Sequence, residues 1–352
     1  MKLFNQYQIQ QRELLHNHLL ALFESQNKEV HDELSKQVLE RIKDFTTSGK
    51  MLRGIFVLLS YEMFGGVINK NILNVAAVME LSQAALLIHD DIMDNDTVRR
   101  GRRTMYAEYM NDARVQNIEN PEEYGKSMAM IVADLSLFLT YDLIGSLNIP
   151  ISIMSQVMKI YSKEMLKVGR GQFMDYHFGK TPDFRSEADI TLMYQLKTGS
   201  YTFSLPFILG ALMARASKKD REVLEKITTF LGIIFQIKDD ELGLFGKTED
   251  TGKSPGADLQ ENKKTLHIAM LLTKASESEK EKIKNILGKP VSQEDVDYVY
   301  SLMNSYGILE EIELKVSTIS HKANEGLMEL SLHAPFHQLF QELIIYNAKR
   351  ER

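Results

Sequence analysis

The sequence lacks cysteine altogether, and it also lacks long apolar runs. The absence of cysteine excludes disulfides, thiolate catalysis and zinc sites built from cysteine, and we expect a reducing, cytoplasmic location. Uninterrupted apolar runs such as IFVLL reach about five residues, whereas a membrane-spanning helix needs roughly 20. Residues 1–25 do not contain the apolar core of a signal peptide. We therefore expect a soluble protein with no integral membrane contact.

A concentrated positive charge is also missing. The net charge is −6 at pH 7, whereas nucleic-acid-binding domains present a strongly basic face. The arginine-rich stretch RRGRR (99–103) is too isolated to change this balance. No nucleic acid partner is expected.

Helical periodicity is what the sequence has in abundance. Apolar residues recur at three- and four-residue spacing, for example in NVAAVMELSQAALLI and ADLSLFLTYDLIGSL, which places them on one face of a helix. Alternating β-type runs with Asn-Gly or Asp-Gly turns are absent. No shift in composition divides the chain. The sequence predicts an all-α fold, a single large helical bundle over residues 1–352, in which residues 1–45 form a helical segment that packs on the bundle or at a dimer interface.

A first acidic cluster ends one of these apolar helices, in LLIHDDIMDNDTVRRG (86–101). Residues four apart share a helix face, so Asp90 and Asp94 point the same way and Asp91 flanks them. Like charges this close are destabilising unless a cation joins them. Carboxylate oxygens suit Mg²⁺, which usually takes one or two protein carboxylates together with substrate phosphates. The alternative interpretation is a solvated acidic helix end.

A second acidic cluster repeats the arrangement in LGIIFQIKDDELGLFG (231–246), where Asp239 and Asp240 follow an apolar helical stretch. Helices that each end in paired aspartates can face each other across a bundle, which is how carboxylate metal sites are built in helical bundles. The repetition favours a metal site over coincidence.

Cations accompany both clusters. They comprise Lys50 and Arg53 in SGKMLRG, Arg99 and Arg100 after the first cluster, Lys197 beside Thr198 in QLKTGSY, and Lys253, Lys263 and Lys264 in the long predicted loop GKTEDTGKSPGADLQENKK (246–264). Arginine binds phosphate through a bidentate fork and lysine acts as a point charge. Each cation alone could be a solvated surface residue. As a set beside two acidic motifs, they indicate an enzyme that acts on an apolar diphosphate.

Six motifs in order carry a resemblance to one family. DDIMDNDTVRRG and FQIKDDELG look like its two aspartate-rich motifs, and GKMLRG, GQFMD, KTGSY and GKSPGADLQENKKT match its remaining boxes. From about residue 45 to the C-terminus, the sequence resembles the trans-polyprenyl diphosphate synthases, which include farnesyl and geranylgeranyl diphosphate synthases. The resemblance implies a helical bundle of the isoprenoid synthase type with a central apolar cavity, and a homodimer.

The resemblance also implies roles for particular residues. Asp90, Asp94 and Asp239 would bind several Mg²⁺ ions that bridge to the allylic diphosphate, with smaller shares for Asp91 and Asp240. The implied contacts of that diphosphate are Arg99, Lys197, Thr198, Gln236, Lys253 and Lys263. The implied contacts of isopentenyl diphosphate are Lys50, Arg53, Gln83 and Arg100. Asp90, Asp94, Asp239, Lys197 and Arg99 would be the catalytic set.

Two positions depart from the family pattern. Gly243 stands where many members carry a third aspartate in the second motif, and this puts the share of metal binding taken by Asp240 in doubt. Gln83 stands where many members have histidine, although either side chain can hydrogen-bond a phosphate oxygen.

The product length is predicted from the helix that leads into the first cluster. In the family the growing chain runs along this helix, and Ala85, Ser82 and Val78 precede Asp90 at helical spacing. All three are small, whereas short-chain enzymes place an aromatic residue near the position of Ala85. Ordinary packing of crossing helices would also favour small residues. We expect a product longer than fifteen carbons, with geranylgeranyl diphosphate first among the choices.

Two other functions remain open at the level of sequence. A class I terpene cyclase shares the first motif and the helical fold, but it has no use for the second diphosphate site that Lys50, Arg53 and Arg100 would form. A non-catalytic subunit of a heteromeric prenyl synthase should have degraded motifs, and only one position is weakened here. The sequence leaves open which allylic starter is preferred and whether the chain forms a homo- or a hetero-oligomer.

Overall fold

The computed structural model describes residues 2–99, 101–246, 255–332 and 334–349. The chain is 81% helical with about 1% strand, which confirms the all-α prediction. It divides into two compact units, which we call the N-terminal unit (2–161 with 206–217) and the C-terminal unit (162–205 with 218–349). The prediction of a single domain is not tested by this division and stays a prediction.

The N-terminal unit contains helices α1 to α6 and a short hairpin. Its elements are α1 Lys2–Glu29, α2 Glu33–Thr47, α3 Leu52–Met63, α4 Lys70–Asp94, β1 Val98–Arg99, β2 Arg102–Arg103, α5 Met105–Val115 and α6 Pro121–Gly145. It also holds the first part of α7 (Ile151–Lys180) and most of α9 (Leu205–Met213). The strands β1 and β2 pair antiparallel with Arg99 opposite Arg102.

Helix α4 is the core of this unit, since it packs against α1, α2, α3, α5 and α6. Its side chains are buried on nearly every face up to Ile88, as expected for a helix that is apolar all round. Asn69 begins the helix by accepting hydrogen bonds from the backbone N–H groups of Asn71 and Ile72. Asn95 ends it in the left-handed conformation with φ 58°. The first acidic cluster therefore occupies the last turn of a rigid element.

The N-terminal helix α1 packs against α2, α3 and α4. Phe4, Leu15, Leu19 and Phe23 are almost completely buried, and burying each such side chain contributes roughly 1.5–3 kcal/mol relative to leaving it exposed. Helix α1 thus packs within its own unit, and the predicted role of residues 1–45 on the bundle or at a dimer interface stays a prediction.

The C-terminal unit contains the rest of α7 and the helices that carry the second cluster. Its elements are α8 Glu187–Tyr194, a π-helix π1 Gln195–Ser204, α10 Lys218–Phe245, α11 Ala257–Gln260, α12 Leu266–Lys274, α13 Glu277–Ile286, α14 Gln293–Ser305, α15 Ile308–Met328 and α16 Ala334–Ala348. Ser186, Ser276 and Ser292 begin α8, α13 and α14 with capping boxes.

Two glycines let neighbouring backbones touch the π-helix. A Cβ at Gly171 of α7 would lie 2.4 Å from the backbone nitrogen of Lys197, and a Cβ at Gly232 of α10 would lie 2.2 Å from the Cα of Gly199. Real Cβ atoms do not approach backbone this closely, so only glycine fits at either crossing. Widened π turns often mark functional sites, and this one carries Lys197 and Thr198.

By length and composition, α4 and α6 could each cross a membrane, which the short uninterrupted apolar runs did not predict. Protein buries 72% of the apolar window of α4, so its composition is that of a core helix, whereas the corresponding value for α6 is 39%. The exposed apolar side chains of α6 are Met130, Ile131, Leu135, Phe138 and Tyr141.

Candidate active site

The first acidic cluster divides into one buried and two more open carboxylates. The side chain of Asp91 is 1% exposed, while that of Asp90 is 23% exposed and Asp94 is half-buried. This matches the expected helical geometry, with Asp90 and Asp94 on one face and Asp91 beside it.

Arg99 is held against this cluster by the hairpin. Its Nε and Nη2 atoms each lie 2.6 Å from Oδ1 of Asp91, and Nη2 lies 3.8 Å from Oδ2 of Asp90. Burial raises the pKa of Asp91 to about 6, although Arg99 opposes the shift. Oδ2 of Asp91 is buried without a hydrogen-bond donor among the described residues. An arginine predicted to contact diphosphate thus pairs first with a carboxylate of the same motif.

The basic segment GKMLRG forms the start of α3. Met51 begins the helix with φ 53°, and the backbone N–H of Gly54 donates a 2.7 Å hydrogen bond to the buried carboxylate of Glu80 on α4. A Cβ at position 54 would lie 2.9 Å from the carbonyl oxygen of Ala76, so the close approach of α3 and α4 requires glycine. The hydrogen bond to Glu80 therefore fixes the first turn of α3, which carries Arg53, against α4.

Gln83 lies two turns before Asp90 on the same helix. Its Oε1 atom is buried without a donor among the described residues.

His89, directly before Asp90, contacts Asp134 of α6, with 3.4 Å between Nε2 and Oδ1. Its imidazole therefore already faces a carboxylate.

The second acidic cluster also divides, because Asp239 is exposed and Asp240 is buried. Asp240 accepts hydrogen bonds from the hydroxyl of Tyr194 and, at 2.7 Å, from Nε2 of Gln236. Burial, reinforced by the charge of Asp258, raises the pKa of Asp240 well above its usual range. The geometry leaves Asp239 as the open carboxylate of the pair, consistent with the smaller share expected for Asp240.

The π-helix presents Lys197 and Thr198 in the C-terminal unit. The Nζ atom of Lys197 donates to Oδ2 of Asp175 at 2.5 Å, and the Thr198 hydroxyl donates to Oε1 of Gln236 at 2.5 Å. Gln236 in turn bonds Asp240, so a continuous hydrogen-bonded chain links π1 to the second cluster.

Lys263 follows α11 and pairs with two carboxylates, at 2.8 Å from Glu261 and 3.4 Å from Asp258. Lys264 bonds Oδ1 of Asn262 at 2.7 Å. Two cations predicted to contact substrate, Arg100 and Lys253, lie outside the described residues.

The residues that are present fit Mg²⁺ shared with a diphosphate. Among the described residues, no group of three or more Asp, Glu, His or Cys side chains could hold a metal by itself. Mg²⁺ keeps several waters and takes one or two carboxylates plus substrate phosphates, so a closed protein cage is not required. In the N-terminal unit, the more open carboxylates of Asp90 and Asp94 are hard ligands of the right kind, and the buried Asp91 adds negative charge beside them. In the C-terminal unit, the exposed carboxylate of Asp239 is a ligand of the same kind.

The three residues predicted to govern product length are fully buried: Ala85 and Ser82 at 0% and Val78 at 1% exposure. The Ser82 hydroxyl donates to the carbonyl of Val78 at 2.7 Å and lies 2.8 Å from the hydroxyl of Tyr161 on α7. Tyr161 also lies 3.1 Å from the hydroxyl of Thr140 on α6. The hydroxyl of Tyr161 therefore contacts Ser82 and links α4 to α6 through hydrogen bonds.

Sequence reasoning missed several side chains of this arrangement. Asp175 stands in the quoted GQFMD motif, Glu80 is a lone carboxylate in an apolar helix, and Asp258 lies in the quoted long loop. Each therefore had a signal, namely a charged residue in a motif or on an apolar face. Tyr194 and Tyr161 had none, because only the three-dimensional contacts distinguish them from ordinary core tyrosines.

An all-helical fold whose helices end in aspartates beside lysines and arginines defines a class of metal- and diphosphate-handling enzymes. The model of the family described as polyprenyl synthetase matches residues 35–303. The chain is 30% identical to the geranylgeranyl diphosphate synthase of Sulfolobus acidocaldarius, over 82% of this chain and 88% of the relative. It is 29% identical to the geranylfarnesyl diphosphate synthase of Aeropyrum pernix, over 91% of this chain and 95% of the relative.

A solved structure agrees. Geranylgeranyl pyrophosphate synthase from Corynebacterium glutamicum, complexed with isoprenyl diphosphate and magnesium, matches with a TM-score of 0.90 and 25% identity, covering 97% of this chain and 98% of that one. The chain belongs to the polyprenyl synthetase family, and it is a prenyltransferase of isoprenoid biosynthesis. The resemblance drawn from the motifs is confirmed. Enzymes of this family use Mg²⁺ with diphosphate substrates.

Proposed function

We propose that the chain condenses isopentenyl diphosphate with an allylic diphosphate, head to tail and in trans, and that its main product is geranylgeranyl diphosphate. The observation that carries the proposal is the arrangement found in each unit: an open aspartate ends an apolar helix, and cations lie beside it. The names of the relatives support the same reaction.

The proposed roles follow the open and buried positions of the side chains. Asp90, Asp94 and Asp239 would hold Mg²⁺, while Asp91 and Asp240 orient Arg99 and Gln236. The residues proposed to contact the allylic diphosphate are Arg99, Lys197, Thr198, Gln236, Lys253 and Lys263. Those proposed for isopentenyl diphosphate are Lys50, Arg53, Gln83 and Arg100.

The reaction requires the protein to neutralise the charge of the leaving group and to exclude water. The bond between the allylic C1 atom and the diphosphate oxygen breaks, and the electron pair leaves with the diphosphate. The isopentenyl double bond attacks C1, and loss of a proton gives a chain five carbons longer. Bound Mg²⁺ supplies Lewis acidity to the leaving group. Arg99 and Lys197 neutralise further charge, and the apolar helices exclude water from the reactive carbons.

The proposed product length depends on small side chains on α4. Ala85 and Val78 are small and fully buried, and Ser82, one turn before Ala85, is hydrogen-bonded to Tyr161. The relatives named as geranylgeranyl and geranylfarnesyl diphosphate synthases make products in the expected range.

We also propose a cytoplasmic homodimer. The exposed apolar side chains of α6 support it, because a face with Phe138 at 61% and Ile131 at 54% exposure is costly in water. Light scattering of the purified protein, with Phe138→Glu as the disrupting variant, tests the oligomeric state.

The decisive test supplies Mg²⁺, labelled isopentenyl diphosphate and each allylic diphosphate in turn. We expect label in a twenty-carbon diphosphate and loss of the signal with EDTA. Consumption of the allylic substrate without incorporation of label would indicate a cyclase instead. No reaction with any starter would indicate a subunit that needs a partner.

A further inference from the structure

The segment that joins α2 to α3 carries two of the cations proposed to contact isopentenyl diphosphate, Lys50 in the loop and Arg53 in the first turn of α3. The peptide unit directly before Lys50 contains the carbonyl of Gly49, and the unit directly after Arg53 contains the N–H of Gly54. A peptide unit is planar, so a hydrogen bond that holds either unit also restricts the Cα atom beside it. Side chains from outside the segment hold both units.

Two helices supply these hydrogen bonds. Glu80 of α4 accepts from the N–H of Gly54 at 2.7 Å. The Nε atom of Arg12 on α1 donates to the carbonyl oxygen of Gly49 at 3.1 Å. Glycine has the greatest backbone freedom of all residue types, so the hydrogen bond from Arg12 restricts the peptide before Lys50 where the chain itself restricts it least.

Helix α1 contacts the other end of the segment through the same face. Leu15 lies one turn after Arg12 and is fully buried. A Cβ at position 54 would lie 2.4 Å from Cδ2 of Leu15, so the glycine there leaves space for this leucine. One face of α1 therefore lies against both ends of the segment that carries Lys50 and Arg53.

Polar contacts fix α1 on either side of Arg12. The hydroxyl of Tyr7 donates to Oε2 of Glu62 on α3 at 2.6 Å, and Nε2 of His18 lies 2.8 Å from Oδ1 of Asn74 on α4. These contacts join α1 to the helix that follows the segment and to the helix that supports it. The backbone from which Arg12 extends is therefore fixed relative to both.

We propose that Arg12 is a positioning residue of the isopentenyl diphosphate site, which holds the peptide unit before Lys50 so that the ammonium group of Lys50 meets the diphosphate. Arg12 precedes residues 35–303, which match the family model. It acts through the backbone and does not touch the substrate. The inference rests on the proposed function for the identity of the ligand, and on the hydrogen bond to Gly49 for the geometry.

Three substitutions at position 12 separate the hydrogen bond from the charge. The side-chain amide nitrogen of glutamine lies at the same point along the side chain as Nε of arginine, so Arg12→Gln keeps the donor and removes the charge. Arg12→Lys keeps the charge but has a methylene group at that point. Arg12→Met removes both. Because Arg12 is exposed, all three variants should fold.

Isothermal titration calorimetry with isopentenyl diphosphate, without an allylic substrate, measures binding in the absence of turnover. Arg12→Met and Arg12→Lys should each weaken binding about fivefold, the effect of one hydrogen bond, while Arg12→Gln stays within about twofold of the unchanged chain. In steady-state assays the same two variants should raise the KM for isopentenyl diphosphate and leave kcat and the KM for the allylic diphosphate unchanged. The matched control is Lys28→Met, which removes another exposed cation of α1 and should change none of these values.

Hydrogen exchange of the amides of residues 48–53 adds a measurement that needs no ligand, and it should be faster in Arg12→Met than in Arg12→Gln. Normal binding by Arg12→Lys with weak binding by Arg12→Gln would show that the charge of Arg12 acts directly, and would overturn the proposal. Equal changes in both KM values, together with a lower melting temperature, would reduce Arg12 to a general role in stability and would overturn it as well.

The outcome is separable from that of the proposed function. If the unchanged chain incorporates no label and binds no isopentenyl diphosphate, the proposed function fails, and the ligand named for Lys50 fails with it. If the unchanged chain binds isopentenyl diphosphate and Arg12→Met binds it equally well, only the role of Arg12 is refuted.

Discussion

Acidification from pH 7 to pH 5 is expected to destabilise the C-terminal unit through one imidazole, that of His267 on α12. The side chain is 0% exposed, and neither ring nitrogen has a hydrogen-bond partner among the described residues. Burial, followed by the charge of Lys238, lowers the pKa of His267 to about 4. In the unfolded chain the imidazole titrates near 6.5. Protonation therefore favours the unfolded state.

The magnitude follows from linkage. Because the folded pKa is the lower one, the stabilising contribution is complete above pH 6.5 and is lost as the pH falls towards 4. The full loss is about 3.4 kcal/mol, from 2.5 pKa units at 1.36 kcal/mol each. Between pH 7 and pH 5 the share is about 1.8 kcal/mol, which is large against a typical total stability of 5–15 kcal/mol.

The assay is urea unfolding at pH 7, 6 and 5, followed by circular dichroism, for the unchanged chain and for His267→Met. Methionine has a similar volume, carries no titratable group and adapts to irregular cavities. The difference in free energy of unfolding between pH 7 and pH 5 should be smaller in His267→Met by about 1.8 kcal/mol. The matched control is His321→Met on α15, where the imidazole is 77% exposed and little change is expected.

An identical pH dependence in the unchanged chain and in His267→Met would refute the reasoning. It would mean that the imidazole gains a partner when it is protonated, or that α12 opens at a cost below the protonation energy. A pH dependence that disappears in His321→Met would show that the effect comes from His321 and not from His267.

Three further substitutions test contacts that position the site. Gly232→Ala should destabilise the chain by about 3 kcal/mol, since its Cβ would lie 2.2 Å from the Cα of Gly199 and the clash cannot be relieved by side-chain motion. Glu80→Ala should cost about 1–3 kcal/mol by leaving the N–H of Gly54 buried without an acceptor. Ala85→Phe should shorten the main product by one five-carbon unit or more, because the proposed product length depends on small side chains along α4 and Ala85 is fully buried there.

Each has its own control. Gly169→Ala on α7 meets nothing within 4 Å and should be neutral or slightly stabilising, so equal effects at Gly169 and Gly232 would exclude the steric explanation. Glu80→Gln keeps an acceptor and should retain most of the stability. An unchanged product in Ala85→Phe would place the limit elsewhere, for which Tyr161→Phe is the next variant.

The sequence was sufficient for the fold class and the family because both depend on repeated local signals. Helical spacing of apolar residues recurs in every long segment, and the six motifs stand in a fixed order. The ends of α4 and α10 could be predicted for the same reason, since each is an apolar run that stops at aspartates. The separation of Asp91 from the face shared by Asp90 and Asp94 also follows from helix geometry alone.

The partners of the charged residues could not be predicted. Arg99 lies against Asp91 because of a hairpin whose strands have only two residues each, too few to give a strand pattern in the sequence. Lys197 reaches Asp175 because Gly171 lets α7 contact the π-helix. A π-helix has no sequence signature separate from that of an α-helix. The close approach of Gly243 to the side chain of Asp258 was equally hidden, because fifteen residues separate the two along the chain.

The pairs found in each unit have a consequence for ligand binding. Arg99, Lys197 and Lys263 each form an ion pair with a carboxylate. A diphosphate alone would add negative charge beside these carboxylates, and Mg²⁺ alone would add positive charge beside these cations. Bound together, they balance each other, with the metal on Asp90, Asp94 and Asp239 and the diphosphate on Arg99, Lys197 and Lys263. Binding of Mg²⁺ and of inorganic diphosphate should therefore be positively coupled by about 1–3 kcal/mol. Calorimetric titration of each in the presence and absence of the other measures this coupling, and independent binding would show that the pairs persist in the complex.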